Sequence, residues 1–119
     1  MRKENARERR ITYEIVVDAY DECERAMGWY YYLEDRLRFP FLARCDKRRA
    51  ISPLAKNEEV EVVGLPPEEE CALEMFVTVR WRDRAVAVPL SQQAVAKAES
   101  ATRQAVADWH YWVQQGYVF

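Results

Sequence analysis

Histidine and glycine are scarce in this 119-residue sequence, which contains one histidine and three glycines. The single histidine, His110, is accompanied by no nucleophile elbow, no phosphate-binding glycine loop and no HExxH pair. Because the motifs of the common enzyme classes are missing, we expect no catalytic activity. We expect His110 to be a half-buried helical residue that forms a hydrogen bond close to the neighbouring tryptophans.

Cysteine is also rare, and the three residues Cys23, Cys45 and Cys71 include no close pair. An odd number of cysteines and the lack of an apolar signal segment favour a reducing, cytoplasmic location. A Cys3His zinc site with His110 is disfavoured, because no two cysteines have the short spacing of structural zinc sites. We therefore expect three buried, unreactive thiols.

The sequence also lacks a long apolar run and an excess of one charge. No stretch approaches the roughly 20 apolar residues that cross a bilayer, so we expect no membrane association. The 18 Lys and Arg residues nearly balance the 20 Asp and Glu residues, which leaves a net charge of -2. Basic residues cluster at 1–10 and 47–49, but glutamates interrupt the first cluster. We therefore expect no nucleic-acid partner.

What the sequence does contain is enough apolar material for a core in one domain spanning residues 1–119, since half of its residues are hydrophobic. Residues 1–10 are predicted to be a charged, solvated lead-in. From Thr12 onward, apolar side chains recur every three or four residues and predict a long helix. We expect Thr12 to cap this helix, Pro40 to end it and Gly28 to mark a bend or a close approach.

Beyond this helix the apolar residues alternate, which is typical of half-buried strands. A last helical pattern has an apolar face formed by Ala105, Trp109 and Trp112, and Gly116 suits its C-terminal cap. The sequence thus predicts an α+β fold with a long N-terminal helix, a small curved antiparallel β-sheet or partial SH3-like barrel, and a C-terminal helix. The strands are predicted at 41–45, 60–63, 75–81 and 84–90, and the last helix at 100–114.

Two acidic clusters are candidates for binding a cation. Glu34 and Asp35 lie in the last turn of the predicted first helix, where the helix dipole and unpaired carbonyls already place negative charge. The loop 68–70 carries three consecutive glutamates. Carboxylates and backbone carbonyls are the ligands that Ca²⁺ takes, although no EF-hand loop is present. Alternatively, Arg36 and Arg38 neutralise the first cluster, and the second is an ordinary solvated turn.

Four segments together resemble the CcbP family of bacterial calcium-binding proteins. The resemblance extends over nearly the whole chain from about Tyr13 onward. It is carried by GWYYYLEDRLRFPFLARC (28–45), SPLAKNEEVEVVGL (52–65), EEECALEMFVTVRWRDRAVAVPLSQ (68–92) and DWHYW (108–112).

The resemblance implies an α/β fold without EF-hands that buffers Ca²⁺ inside the cell through acidic side chains. It also implies that Asp35 is the principal ligand, with Glu34, Glu69 and Glu70 as further ligands. This chain is less acidic than we expect for the family, and five arginines lie near the predicted site: Arg36, Arg38, Arg44, Arg48 and Arg49.

The alternative is a small β-barrel module that binds a protein partner and has weakened or lost calcium binding. The contact patch of such a module would be formed by exposed aromatic side chains. Its candidate residues are Trp81, Tyr117 and Phe119.

Overall fold

Five antiparallel strands form one open sheet in the computed structural model, which describes residues 5–117. The strand order is β4-β3-β2-β1-β5, and two long helices pack together beside the sheet. The predicted α+β fold is therefore confirmed. In chain order, the elements are α1 (Asn5–Arg10), a π-helical turn (Ile11–Ile15), α2 (Glu22–Arg36), β1 (Phe41–Cys45), β2 (Glu59–Gly64), a 3₁₀ turn (Glu68–Cys71), β3 (Phe76–Trp81), β4 (Arg84–Pro89), a second 3₁₀ turn (Leu90–Gln92), β5 (Gln93–Lys97) and α3 (Ser100–Gln114).

The alternation of apolar residues sets which side of the sheet faces the core. In β1, Phe41 and Ala43 are buried, whereas the intervening Leu42 is exposed. The antiparallel register places Phe41 opposite Val62 and Ala43 opposite Val60, so the buried positions of both strands meet on one face. The four predicted strands are confirmed, and β5, which pairs with β1 at one edge, was not predicted.

The predicted long N-terminal helix is present as α2, but it begins at Glu22 instead of Thr12, because the chain breaks between the π-helical turn and α2. Asp21 caps α2 in place of Thr12, and its Oδ1 accepts a hydrogen bond of 2.8 Å from the Glu24 backbone N–H. The Glu24 carboxylate in turn accepts a bond of 3.1 Å from the Tyr20 N–H. These reciprocal bonds satisfy backbone donors at the start of α2, which favours a new helix here over a continuous one.

The C-terminal ends of both long helices agree more closely with expectation. Helix α2 ends at Arg36, before Pro40, because Leu37 already has an extended backbone with ψ of 132°. Helix α3 has the predicted bounds, and Gly116 follows it with φ of +79°, a left-handed conformation that glycine adopts without a steric penalty. Within residues 5–117, no helix is both long and apolar enough to cross a lipid bilayer.

One buried carboxylate, Asp108 of α3, is a main contact between the first described residues and the rest of the protein. Arg10 donates two hydrogen bonds to it, at 2.8 and 2.7 Å, and the Arg7 Nε lies 2.9 Å from its Oδ1. The Tyr32 hydroxyl of α2 donates a further bond of 2.7 Å. Residues 5–10 are thus a helix that two arginines hold to a buried charge, although none of these residues is itself buried. Residues 1–4 lie outside the described residues.

Candidate metal centre

Two tyrosines of α2 bring its C-terminal half next to the glutamate-rich 3₁₀ turn Glu68–Cys71, which we call the acidic turn. The Tyr31 hydroxyl donates a hydrogen bond of 2.8 Å to the Glu68 carboxylate. The neighbouring Tyr30 hydroxyl donates a bond of 2.7 Å to the Pro66 carbonyl, just before the turn. The two acidic clusters, which are distant in sequence, therefore lie on one side of the molecule.

Glu34 follows Tyr30 by four residues and thus lies one helical turn further along the same face of α2. The hydrogen bond to Glu68 raises the pKa of Tyr31, and the negative charges of Glu68 and Glu34 raise it further. Burial raises the pKa of Tyr30, and the same two carboxylates again contribute. Glu34 and Glu68 therefore both lie close enough to act on the same two phenols.

Asp35 follows Glu34 in the chain and is strongly solvated, with 81% of its side chain exposed. The Arg36 Nε lies 3.4 Å from its carboxylate, and the Arg38 guanidinium donates a hydrogen bond of 2.7 Å to its backbone carbonyl. The expected unpaired carbonyl is therefore absent at Asp35, because an arginine three residues further on folds back onto it. Arg36 is also engaged elsewhere, since its Nη2 lies 3.3 Å from the Glu14 carboxylate.

Glu69 and Glu70 of the acidic turn are both exposed. In the part of the chain that the structure describes, no three His, Cys, Asp or Glu side chains come close enough to form a ready-made metal cluster. The two clusters are linked through Glu34 and Glu68, which both act on Tyr30 and Tyr31, and their carboxylates do not converge on one point. Exposed glutamates can change rotamer at little cost, and Ca²⁺ accepts a variable set of six to eight oxygens that includes water and carbonyls. The donor chemistry therefore fits Ca²⁺.

The histidine and the cysteines that were considered for a zinc site have no metal-binding arrangement in the part of the chain that the structure describes. The His110 Nε2 lies 2.6 Å from the Gln93 carbonyl and is half-buried, as predicted. Cys45 and Cys71 are buried, and burial raises the pKa of both thiols. The prediction is wrong for Cys23, which is exposed because it lies in the first turn of α2, away from the core.

Trp81 and Tyr117, the two residues of the expected aromatic contact patch that the structure describes, are both engaged by neighbouring side chains. Trp81 is only half-buried, but its indole N–H donates to the Glu58 carboxylate at 3.2 Å and the Arg82 guanidinium lies over its ring. Tyr117 packs against Trp112 with ring centroids 4.8 Å apart. Phe119 lies outside the described residues.

Sequence reasoning missed two carboxylates. Glu68 was part of the glutamate run but was not selected as a ligand, although it is the one that α2 contacts. Asp108 was missed as the anchor of the N-terminal segment. The sequence does contain a sign of this role. The spacing of Ala105, Asp108 and Trp112 places the Asp108 carboxylate on the apolar face of α3, where a charged side chain needs a partner.

The chain closely resembles known proteins over its whole length. Residues 9–113 match the model of the CcbP family, which is described as calcium binding. The crystal structure of Anabaena CcbP is 41% identical with a TM-score of 0.89, over 100% of this chain and 98% of that one. A calcium-binding protein in its calcium-binding form is 40% identical with a TM-score of 0.87, over 98% of this chain and 96% of that one. No curated protein sequence gives a match. The chain therefore belongs to the CcbP family.

Proposed function

We propose that this chain is an intracellular calcium-binding protein that buffers Ca²⁺, with residues 1–119 acting as one domain. The observation that carries the proposal is the hydrogen bond between Tyr31 and Glu68, which holds the acidic turn against the acidic end of α2. Membership of a calcium-binding family supports it. This family is not an enzyme family, so its members provide no reason to expect catalysis.

We assign the ion to the surface between the C-terminal end of α2 and the acidic turn. Asp35 is the principal ligand, because its carboxylate is 81% exposed at the helix end and can turn towards the ion without losing a buried contact. Carboxylates from both elements complete the site together with water molecules. These further ligands are Glu34, Glu68, Glu69 and Glu70.

The principal test is a calorimetric Ca²⁺ titration of chelator-treated protein, repeated with Mg²⁺ and with the variant Asp35→Asn. We expect saturable Ca²⁺ binding, little response to Mg²⁺, and roughly tenfold weaker Ca²⁺ binding in the variant, because a ligand and its charge are removed. Ca²⁺ at 100 times its dissociation constant should also add about 2.7 kcal/mol to the free energy of unfolding of the wild type.

The matched control is Asp83→Asn, which removes the same charge from the exposed β3–β4 turn. Asp83 has a φ of +65°, a conformation that asparagine also tolerates, so the turn should be unaffected. Equal weakening in both variants would show that only overall charge matters. A flat trace for the wild-type protein would contradict the proposed function.

A second prediction concerns the arginines near the site. We expect Arg38→Gln to strengthen Ca²⁺ binding. This change frees the Asp35 carbonyl from its 2.7 Å hydrogen bond and removes one positive charge next to a divalent site. At a solvent-exposed position this charge is worth about 0.5–1 kcal/mol, which corresponds to a roughly two- to fivefold lower dissociation constant. The gain should shrink in high salt. Arg84→Gln, in the exposed first position of β4, is the control and should leave the affinity unchanged.

A further inference from the structure

An apolar groove of about 390 Å³ lies between the N-terminal half of α2 and the acidic turn. Its surface continues from the acidic turn onto the two residues that follow it in the chain. The apolar side chains that line the groove are Ala26, Met27, Tyr30, Ala72 and Leu73.

Two of these side chains are unusually exposed for their size. Leu73 is 90% exposed and Met27 is 41% exposed. Methionine is flexible and polarisable, and it is common on surfaces that adapt to peptides of different sequence. A leucine that faces water almost completely contributes nothing to the core of this protein, but it can be covered by a ligand.

The edge of the groove is acidic. Glu22, Glu68 and Glu69 line it, and among residues 5–117 none of its lining side chains is a lysine or an arginine. This arrangement of an apolar floor and an acidic edge is complementary to one kind of occupant, a segment with an apolar anchor flanked by lysines or arginines.

We propose that this groove binds a basic amphipathic segment of a partner protein, in competition with Ca²⁺. An apolar side chain of the segment would lie between Tyr30 and Leu73, and its basic side chains would pair with Glu68 and Glu69. The groove itself follows from the contacts above, whereas the competition rests on the proposed calcium function.

Competition is expected because the acidic turn would serve both ligands. Glu68 and Glu69 border the groove and are also proposed ligands of Ca²⁺. A bound divalent cation would cancel the negative charge that attracts the peptide and would hold the same carboxylates. Since coupling between two ligands is reciprocal, the peptide must weaken Ca²⁺ binding by the factor by which Ca²⁺ weakens peptide binding. The protein would then release its partner when the Ca²⁺ concentration rises.

The test uses a fluorescent synthetic peptide of leucines and lysines, roughly 14 residues long and patterned as an amphipathic helix. Its binding to the full chain is followed by anisotropy, first with chelator and then with saturating Ca²⁺. We expect saturable one-to-one binding in chelator and an affinity at least about fivefold lower in Ca²⁺. A parallel calorimetric Ca²⁺ titration without peptide tests the proposed function separately.

Two pairs of variants locate the binding surface. Leu73→Ser should lower the affinity for the peptide roughly tenfold without changing the affinity for Ca²⁺. Its control, Ile51→Ser, changes another exposed apolar residue and should change neither affinity. The double variant Glu68→Gln/Glu69→Gln should lower the affinities for both the peptide and Ca²⁺. Its control, Glu59→Gln/Glu99→Gln, removes the same charge elsewhere and should lower the affinity for the peptide much less.

Several results would overturn the proposal. Equal peptide binding by wild type and Leu73→Ser, or equal loss in both glutamate pairs, would show non-specific attraction to an acidic protein. Self-association of the free protein that Leu73→Ser abolishes would assign the groove to a second copy of this chain. Peptide binding that is the same with and without Ca²⁺ would refute the competition, even where calorimetry shows that Ca²⁺ binds.

Discussion

Replacing Asp108 by alanine is expected to lower the free energy of unfolding by about 3 kcal/mol or more, because breaking a buried ion pair from one side leaves its partners uncompensated. Asp108 has no solvent-exposed side-chain surface. It accepts hydrogen bonds from Arg10 and Tyr32 and forms an ion pair with Arg7, so that it joins two other elements of the fold. The side chains of Arg10 and Arg7 are 17% and 25% exposed, so some rehydration keeps the expected loss near the lower end of the usual range.

Denaturant unfolding of three variants checks this prediction. Tyr32→Phe removes one hydrogen bond to a charged group and should cost about 1.5–3 kcal/mol, less than Asp108→Ala. Asp46→Ala removes a carboxylate from an exposed position and should change stability by less than about 0.5 kcal/mol. A loss below about 1 kcal/mol in Asp108→Ala would contradict the role of this carboxylate as the anchor.

A charge-free replacement separates the anchor role from simple packing. The triple variant Asp108→Leu/Arg7→Leu/Arg10→Met removes all three charges together and should be more stable than Asp108→Ala, because no buried charge is left without a partner. A triple variant that is no more stable than Asp108→Ala would contradict this explanation, because removing the unpaired arginine charges would then have restored nothing.

The predicted strands and the last helix were correct because each has a pattern that its own residues determine. Alternation in 41–45 and 75–81 buries one face of each strand, and the spacing of Trp109 and Trp112 can bury only one side of a helix. The N-terminal region failed for a different reason. Its three- and four-residue spacing continues across 16–21. The helix is broken there by the left-handed backbone of Asp18, with φ of +57°, and by the side-chain cap of Asp21. Apolar spacing reports neither of these local backbone features.

The candidate site was predictable only as two separate acidic clusters. Their proximity depends on Tyr31 reaching Glu68, a contact between residues far apart in sequence, and tertiary packing decides such contacts. The expected free carbonyl at Asp35 failed because the sequence does not specify whether Arg38 extends into water or folds back. The identity of the ion was inferred from the resemblance to a calcium-binding family, because the charge of the two clusters alone does not distinguish one cation from another.

The second large effect concerns Gly28, which lies inside α2 where it passes the π-helical turn. A Cβ atom at this position would lie 2.3 Å from the Ile15 carbonyl oxygen and 3.4 Å from its carbon, and both are backbone atoms that cannot rotate away. The expected close approach is therefore confirmed. Ile11 and Ile15 are both 3% exposed, so a shift of this turn would also disturb the core.

Gly28→Ala is therefore expected to destabilise the protein, although alanine is the better helix former. Alanine in a helix interior gains about 0.5–1 kcal/mol over glycine, whereas overpacking against fixed backbone costs about 1–3 kcal/mol. We expect a net loss of about 1–2 kcal/mol in denaturant unfolding, the difference between these two effects. Gly64→Ala is the matched control, because no atom lies within 4 Å of its added Cβ and β2 gains the strand preference of a side chain. A stabilised Gly28→Ala would mean that helix propensity outweighs the contact with Ile15, and that the N-terminal segment can move away from α2 without cost.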